Sequence, residues 1–267
     1  MSFADVNGIK IAYDDTGSGE PVLLVMGTAA SGRVWHLHQV PALTEAGYRV
    51  VTFDNRGVSP APPGFRIDDL VADTAELIEQ LGLGPCRVVG TSMGAQVAAE
   101  LAVARPELVS QAVLMATRGR PDAMRAAMGK AERELRDSGI ELPARYEAVL
   151  RAVQNLSPTT LNNDIKIQDW LDVFEMSPTV WTPGVRAQLH LDITESRLDA
   201  YRAIRVPCLV IGFADDLRLP PYLAREVAEV IPEARYVEIA DCGHYGYLER
   251  PDEVNEALIT FFAAGHI

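Results

Sequence analysis

The chain has 267 residues, of which 48% are hydrophobic and 23% are charged. This length suits one large α/β domain or two small ones, and the composition excludes a wholly disordered chain. The formal net charge at pH 7 is −13, which disfavours contact with nucleic-acid phosphates or anionic lipids. No apolar run approaches the roughly 18 residues of a membrane helix. We therefore expect neither a nucleic-acid partner nor a membrane partner.

The cysteines and the N-terminus predict a cytoplasmic protein. Cys86, Cys208 and Cys242 form no CxxC pair, so they fit neither a disulfide framework nor a structural zinc site. Residues 1–5 lack the basic and apolar regions of a signal peptide.

Short apolar runs alternate with helical periodicities along most of the chain. The alternating segment 8–13 predicts a half-exposed strand. Apolar runs predict further strands at 22–26, 48–53, 86–89, 109–115, 209–211 and 236–239. Helices are predicted at 67–81, 95–105, 221–231 and 251–262. This alternation predicts an α/β fold with a mainly parallel central sheet covered by helices on both faces.

Residues 118–203 interrupt this alternation with helical patterns and no convincing strand. We predict that they form an inserted helical cap, or lid, on a core made of residues 1–117 and 204–267; the alternative is a surface helical pair without a role. The predicted cap contains the aromatic and sulfur side chains of Trp170, Phe174, Met176 and Trp181. These side chains suggest a substrate with an apolar or aromatic acyl group. The alternative is that they only pack the cap on the core. Six basic residues between 118 and 136 interleave with acidic ones, which favours a solvated amphipathic helix over an anion-recruiting face.

The strongest local motif is Gly90-Thr91-Ser92-Met93-Gly94, which matches G-x-S-x-G between a predicted strand and a predicted helix. The strand-to-helix turn of this motif is tight, so side chains at the flanking glycines would collide with backbone. The turn lifts the serine oxygen above the sheet edge at a helix N-terminus. Ser92 is therefore the candidate nucleophile.

A serine hydroxyl needs a base and an acid that orients that base. His244 lies in a glycine-flanked loop after the last predicted strand, which makes it the candidate base. Of the other histidines, His36 and His38 lie far upstream, His190 lies in the predicted cap and His266 lies at the chain end. For the acid, counting forward from Gly212 favours Asp215. Counting back from the Pro220-Pro221 pair favours Asp216.

Acyl transfer also needs N–H donors for the developing oxyanion. The N–H of Met93, directly after the nucleophile, is one candidate, and the N–H of Thr28, after the strand at 22–26, is the other.

The segment 27–32 begins like a phosphate-binding loop, but Arg33-Val34 follows where Lys and Ser or Thr are required, so a nucleotide site is rejected. We expect no cofactor and no metal.

These motifs, in this order, resemble the α/β-hydrolase fold superfamily, and within it the cofactor-free non-haem haloperoxidase and esterase group. The resemblance runs through Asp54-Asn55-Arg56-Gly57 and Leu248-Glu249-Arg250-Pro251 and covers nearly the whole chain. It implies that the acid is the second aspartate, Asp216. Most members have His-Gly before the oxyanion loop, and here Met26-Gly27 stands instead, which removes a polar anchor behind Thr28.

The resemblance implies a serine hydrolase that acts on esters, thioesters or lactones of small acyl substrates, in secondary metabolism, with a peroxide-dependent haloperoxidase side activity. Two alternatives remain. One is a catalytically silent binding protein on the same fold. The other is cleavage of a different bond, such as an amide, an epoxide or a C–C bond. On this fold, epoxide hydrolases and dehalogenases use an aspartate nucleophile, so Ser92 argues against these two activities.

Overall fold

The computed structural model describes residues 1–191 and 193–265, so His266 lies outside the described residues. The strands are β1 (Ser2–Val6), β2 (Ile9–Gly17), β3 (Pro21–Val25), β4 (Arg49–Phe53), β5 (Cys86–Thr91), β6 (Val109–Met115), β7 (Cys208–Phe213) and β8 (Arg235–Ile239). They form one sheet in the order β1-β2-β4-β3-β5-β6-β7-β8. The pairs β1/β2 and β2/β4 are antiparallel, and the five other neighbouring pairs are parallel. The predicted mainly parallel sheet is confirmed.

The helices follow the alternation that the sequence predicts. In chain order they are α1 (Gln39–Glu45), α2 (Ile67–Gln80), α3 (Met93–Ala104), α4 (Ala123–Asp137), α5 (Ala144–Asn155), α6 (Pro158–Leu161), α7 (Asp164–Met176), α8 (Pro183–Gln188), α9 (Leu198–Tyr201), α10 (Pro221–Val230), α11 (Gly246–Glu249) and α12 (Pro251–Ala264). None of the described helices has the length and apolar character needed to cross a bilayer.

Three elements, β1, α1 and the short helix α11, were missed by the sequence analysis. β1 pairs with β2 from Ser2 opposite Tyr13 to Val6 opposite Ile9. The signal for this hairpin is Asn7-Gly8, whose φ angles of 43° and 78° suit a tight turn between antiparallel strands.

Two large apolar clusters lie on opposite faces of the sheet. One packs α2, α3 and α10 on the sheet through residues such as Leu77, Val97 and Val227. The other packs α1 and α12 on the sheet through residues such as Leu43 and Phe262. Because both faces are covered, the open positions of the sheet are at the carboxyl ends of its parallel strands, where α/β proteins bind ligands.

Between β6 and β7 the described residues form six helices, α4 to α9, and no strand. A third, smaller apolar cluster joins α5 and α7 around Ala152 and Phe174. The last of the six helices belongs to the main core, because Tyr201 is fully buried there. Arg197 binds Glu100 of α3 through two hydrogen bonds of 2.8 and 2.7 Å, and these tie this end of the segment to the helix that begins after Ser92.

A buried ion pair connects the loop after β4 to α2, and its removal should destabilise the fold. Arg56 donates from Nε and Nη2 to the two carboxylate oxygens of Asp73, both at 2.7 Å, and the Asp73 side chain is 2% exposed. We expect Asp73→Ala to lower the free energy of unfolding by about 3 kcal/mol, because it leaves a buried guanidinium without its counter-charge.

Urea unfolding measures this effect. Asp199→Ala removes an exposed partner of Arg202 and serves as the control, with no measurable change expected. Equal midpoints for the two variants would contradict the prediction.

Candidate active site

The turn between β5 and α3 holds Ser92 in an unusual backbone conformation. Its φ is 56° and its ψ is −120°, in a region that side-chain-bearing residues seldom adopt. The N–H of Ser92 donates to the carbonyl oxygen of Met115 at the end of β6, at 3.0 Å. Ser92 therefore stands at the carboxyl edge of the sheet, directly before the N-terminus of a helix.

The glycines of the motif permit a helix-to-strand contact too close for any side chain. A Cβ on Gly90 would collide with the carbonyl group of Gly94, and a Cβ on Gly94 would collide with the carbonyl oxygen of Val25 in β3. A Cβ on Gly27 would lie 3.3 Å from the Cβ of Ser92. The spacing of these glycines thus follows from the packing of α3 on β3 and β5.

His244 and Asp216 form a buried pair in the loops after β8 and β7. Nδ1 of His244 lies 2.7 Å from Oδ2 of Asp216, and the Asp216 side chain has no exposed surface. Oδ1 of Asp216 accepts from the N–H groups of Arg218 and Leu219, each at 2.8 Å. Because an ionised carboxylate only accepts hydrogen bonds, Nδ1 carries the proton and Nε2 is the basic nitrogen of the ring.

The neighbouring Asp215 has a different environment. Its N–H donates to the carbonyl oxygen of Cys242 at 3.0 Å. Burial, followed by the charges of Asp241 and Glu249, raises the pKa of the Asp215 carboxyl. Asp216, the aspartate that the sequence analysis favours over Asp215, is the one hydrogen-bonded to His244.

Glu249 anchors the loop that carries His244, a contact that the sequence analysis missed. Its Oε2 accepts from the N–H of Gly243 at 2.7 Å. Its Oε1 accepts from the N–H of Ser157 at 3.0 Å, from the Ser157 hydroxyl at 2.8 Å and from the Thr160 hydroxyl at 2.6 Å. One carboxylate thus joins the His244 loop to the segment between α5 and α6.

The same loop packs directly on the end of α5. The N–H of Tyr245 donates to the carbonyl oxygen of Asn155 at 3.1 Å. A Cβ on Gly243 would lie only 2.6 Å from that oxygen, so glycine is required there. The backbone on both sides of His244 is therefore held by the segment inserted after β6.

The loop after β3 contains Thr28, the second predicted oxyanion donor. Within the described part of the chain, the N–H groups of Thr28 and Met93 have no hydrogen-bond acceptor. Thr28, Met93, Ser92 and His244 line one cavity of about 390 Å³. Two unpaired N–H donors and a serine hydroxyl beside one cavity suit the stabilisation of an oxyanion.

Side-chain amides hold the loop that follows β3. Asn55 Nδ2 donates to the carbonyl oxygen of Met26 at 2.8 Å. The N–H of Ala29, whose φ is 61°, donates to Oε1 of Gln188 at 2.7 Å. The Met26 side chain is fully buried, and its sulfur lies 3.8 Å from the Tyr247 hydroxyl. Gln188 lies in α8, so the segment between β6 and β7 contributes to this anchor.

The cavity wall differs from the apolar lining that the cap sequence suggests. Phe174 and Trp181 line the cavity, but Trp170 packs on Phe174 with ring centroids 5.2 Å apart. Met176 is 84% exposed and lies away from the cavity. The guanidinium of Arg136 covers the Trp181 ring at 4.3 Å, so the wall is partly cationic.

The three cysteines are buried as free thiols. Burial raises the pKa of each to about 12, so all three are protonated at neutral pH. The Cys242 thiol, close to His244 in sequence, donates to the carbonyl oxygen of Ile239 at 3.3 Å.

Within residues 1–191 and 193–265, no cluster of three or more His, Cys, Asp or Glu side chains could hold a metal ion.

The sheet order and the helices on both faces define an α/β-hydrolase fold, with a serine turn after its central parallel strand β5. The chain belongs to the alpha/beta hydrolase family, whose model matches residues 22–257. Fold and family therefore confirm the resemblance found in the sequence.

Relatives in two functional classes match almost the whole chain. The "Putative non-heme bromoperoxidase BpoC" of Mycobacterium tuberculosis H37Rv is 54% identical over 258 residues, which cover 96% of this chain and 98% of that protein. A crystal structure of BpoC from the same strain superposes with a TM-score of 0.94 and covers 96% of this chain and 97% of that one. The "Putative carbamate hydrolase RutD" of Azorhizobium caulinodans is 28% identical and covers 98% of both chains.

Loss of the Glu249 carboxylate should loosen the loop that carries His244. We expect Glu249→Gln to lower the free energy of unfolding by about 2 kcal/mol, because an amide replaces one of two oxygens that accept hydrogen bonds from four donors. Urea unfolding measures the change. Glu253→Gln alters an exposed residue of α12 and should have no effect; a Glu249→Gln variant as stable as this control would contradict the prediction.

Proposed function

We propose that this protein is a serine hydrolase that cleaves a carboxylic ester, thioester or lactone through an acyl-enzyme on Ser92. The observation that carries the proposal is the cavity shared by Ser92 and His244, with the imidazole hydrogen-bonded to the buried Asp216 carboxylate. A base oriented in this way is what a serine hydroxyl needs to become a nucleophile.

The reaction proceeds in two steps. In the first step the Ser92 oxygen attacks the substrate carbonyl, its proton passes to Nε2 of His244, and that proton then passes to the leaving group as the C–O or C–S bond breaks. In the second step His244 takes a proton from water and the hydroxide adds to the acyl carbon. The bond to the Ser92 oxygen then breaks, and His244 returns the proton to that oxygen. Asp216 holds the ring and stabilises its charged form throughout.

The negative charge on the carbonyl oxygen in each step is assigned to two backbone donors. These are the N–H groups of Met93 and Thr28, which are without other acceptors in the described residues. Met93 is also the first residue of α3, whose N-terminus carries partial positive charge.

The name of the mycobacterial relative suggests one variation on the second step. If hydrogen peroxide replaces water, the acyl-enzyme releases a peracid, which oxidises bromide to hypobromous acid and becomes a carboxylate. We propose this as a side activity that needs the same residues as hydrolysis.

The domain division and the cellular location are also proposals. Residues 118–203 act as the cap on the core of residues 1–117 and 204–267, and this is supported by the cavity residues that α4, α5 and α8 contribute. A cytoplasmic location is supported by the three free thiols, which a reducing compartment preserves. Fractionation of cells that express the protein tests the location.

Covalent labelling by a fluorophosphonate tests the nucleophile. We expect intact-mass analysis to find one adduct on the wild type and none on Ser92→Ala. Ser18→Ala, which alters an exposed serine, should be labelled like the wild type. If the wild type is not labelled although circular dichroism shows that it is folded, the result would contradict the proposal and favour the binding-protein alternative.

The two adjacent aspartates provide a matched test of the acid. We expect Asp216→Asn to lower kcat/KM for ester hydrolysis by ~10⁴-fold, because the amide no longer holds Nδ1 protonated and no longer stabilises the imidazolium. Asp215→Asn should stay close to the wild type, since Asp215 is not bonded to His244. Steady-state kinetics on one ester measures both variants, and a larger loss for Asp215→Asn would contradict the assignment.

A further inference from the structure

Among the described residues, arginines outnumber carboxylates on the cavity wall. The chain has a formal net charge of −13, yet the described residues around the cavity include five arginines and two glutamates. These are Arg118, Arg125, Arg136, Arg151, Arg218, Glu132 and Glu147. Guanidinium groups beside a cavity attract anionic ligands, so those on this wall that lack a carboxylate partner favour an anionic substrate.

Both glutamates already have an arginine partner. Arg136 Nη1 lies 2.5 Å from a carboxylate oxygen of Glu147, and Arg218 Nη2 lies 3.4 Å from one of Glu132. Arg151, in α5, has no carboxylate within salt-bridge distance among the described residues. Its charge is therefore not compensated by these acidic groups of the wall.

Arg151 is held in a fixed position next to the candidate catalytic residues. Its guanidinium carbon lies 4.3 Å from the centre of the Phe174 ring and 5.7 Å from the centre of the Tyr245 ring. Its Nε donates to the Tyr245 hydroxyl at 3.3 Å, and its Nη1 donates to the carbonyl oxygen of Ser177 at 3.2 Å. Tyr245 follows His244 in the chain, and their ring centres are 6.2 Å apart.

The contacts of Arg151 leave donors available for a ligand. Nη2 has no acceptor among the described residues, and it is not a fully buried atom. A guanidinium that aromatic rings hold in place loses little freedom when it binds, and its planar N–H groups match the two oxygens of a carboxylate.

We propose that Arg151 binds a carboxylate of the substrate, so that the protein prefers esters or lactones that carry a second, free carboxylate. This inference rests on the proposed function, because it assigns a specificity group to the same cavity. Arg151 is a substrate-binding residue in this assignment and takes no part in proton transfer.

Two matched pairs of esters test the preference. In the first pair the acyl group is varied: 4-nitrophenyl hydrogen glutarate against its methyl ester. In the second pair the leaving group is varied: 3-acetoxybenzoate against its methyl ester. We expect kcat/KM to be at least about tenfold higher for the free carboxylate in one of the pairs, as charge-assisted hydrogen bonds allow.

Substitution of Arg151 should remove this preference. In Arg151→Gln we expect the ratio within the preferred pair to fall to about one, mainly through a higher KM for the free-carboxylate ester. Arg151→Lys should keep part of the preference. Arg145→Gln, an exposed arginine of the same helix that pairs with Glu175, is the matched control and should keep the wild-type ratio. Hydrolysis of all four esters without a preference in either pair would overturn the inference and leave the proposed hydrolase function intact.

A binding measurement separates this inference from catalysis. In Ser92→Ala, we expect glutarate to raise the thermal unfolding midpoint, and we expect that rise to disappear in Ser92→Ala/Arg151→Gln. Equal stabilisation of both variants by glutarate, or an equal effect of inorganic phosphate and glutarate, would overturn the carboxylate assignment. Absence of fluorophosphonate labelling and of ester hydrolysis, with glutarate bound through Arg151, would instead reject only the hydrolase function.

Discussion

The close approach of α3 to β3 and β5 is the constraint on which the site depends. The helix lies near enough to the sheet for the carbonyl oxygen of Val25 to occupy the space that a Cβ on Gly94 would fill. This approach goes with the positive φ of 56° at Ser92. It also brings the serine next to the loop after β3, where Thr28 lies. A larger residue at position 94 would push the helix away from β3 and would separate the nucleophile from the N–H donor of Thr28.

The other half of the site depends on the segment inserted after β6. The loop that carries His244 is bonded on one side to the carbonyl oxygen of Asn155 and on the other, through Glu249, to the helix start at Ser157. Gln188 of the same inserted segment holds the loop that carries Thr28. The segment between β6 and β7 therefore fixes parts of the site, and changes in it should alter the geometry around His244.

The fold and the strand-to-helix turn at Ser92 could be predicted because their signals are local. Alternating strands and helices specify the sheet, and the two glycines around Ser92 are required by the same short turn that they identify. Glu249 and Arg151 could not be assigned in this way, because their partners come from distant parts of the chain and only packing brings them together. The aromatic cap residues show the same limit, since composition did not reveal that Arg136 and Arg151 cover the rings of Trp181 and Phe174.

The central claim is that Ser92, His244 and two backbone N–H groups act on one substrate carbonyl. A crystal structure of the fluorophosphonate adduct tests this claim most directly, because the phosphoryl oxygen occupies the position of the oxyanion. The account predicts that this oxygen lies about 2.7–3.1 Å from the N–H groups of Met93 and Thr28, with Nε2 of His244 beside the Ser92 oxygen. An adduct whose oxygen contacts neither N–H group, or an adduct on a different residue, would contradict it.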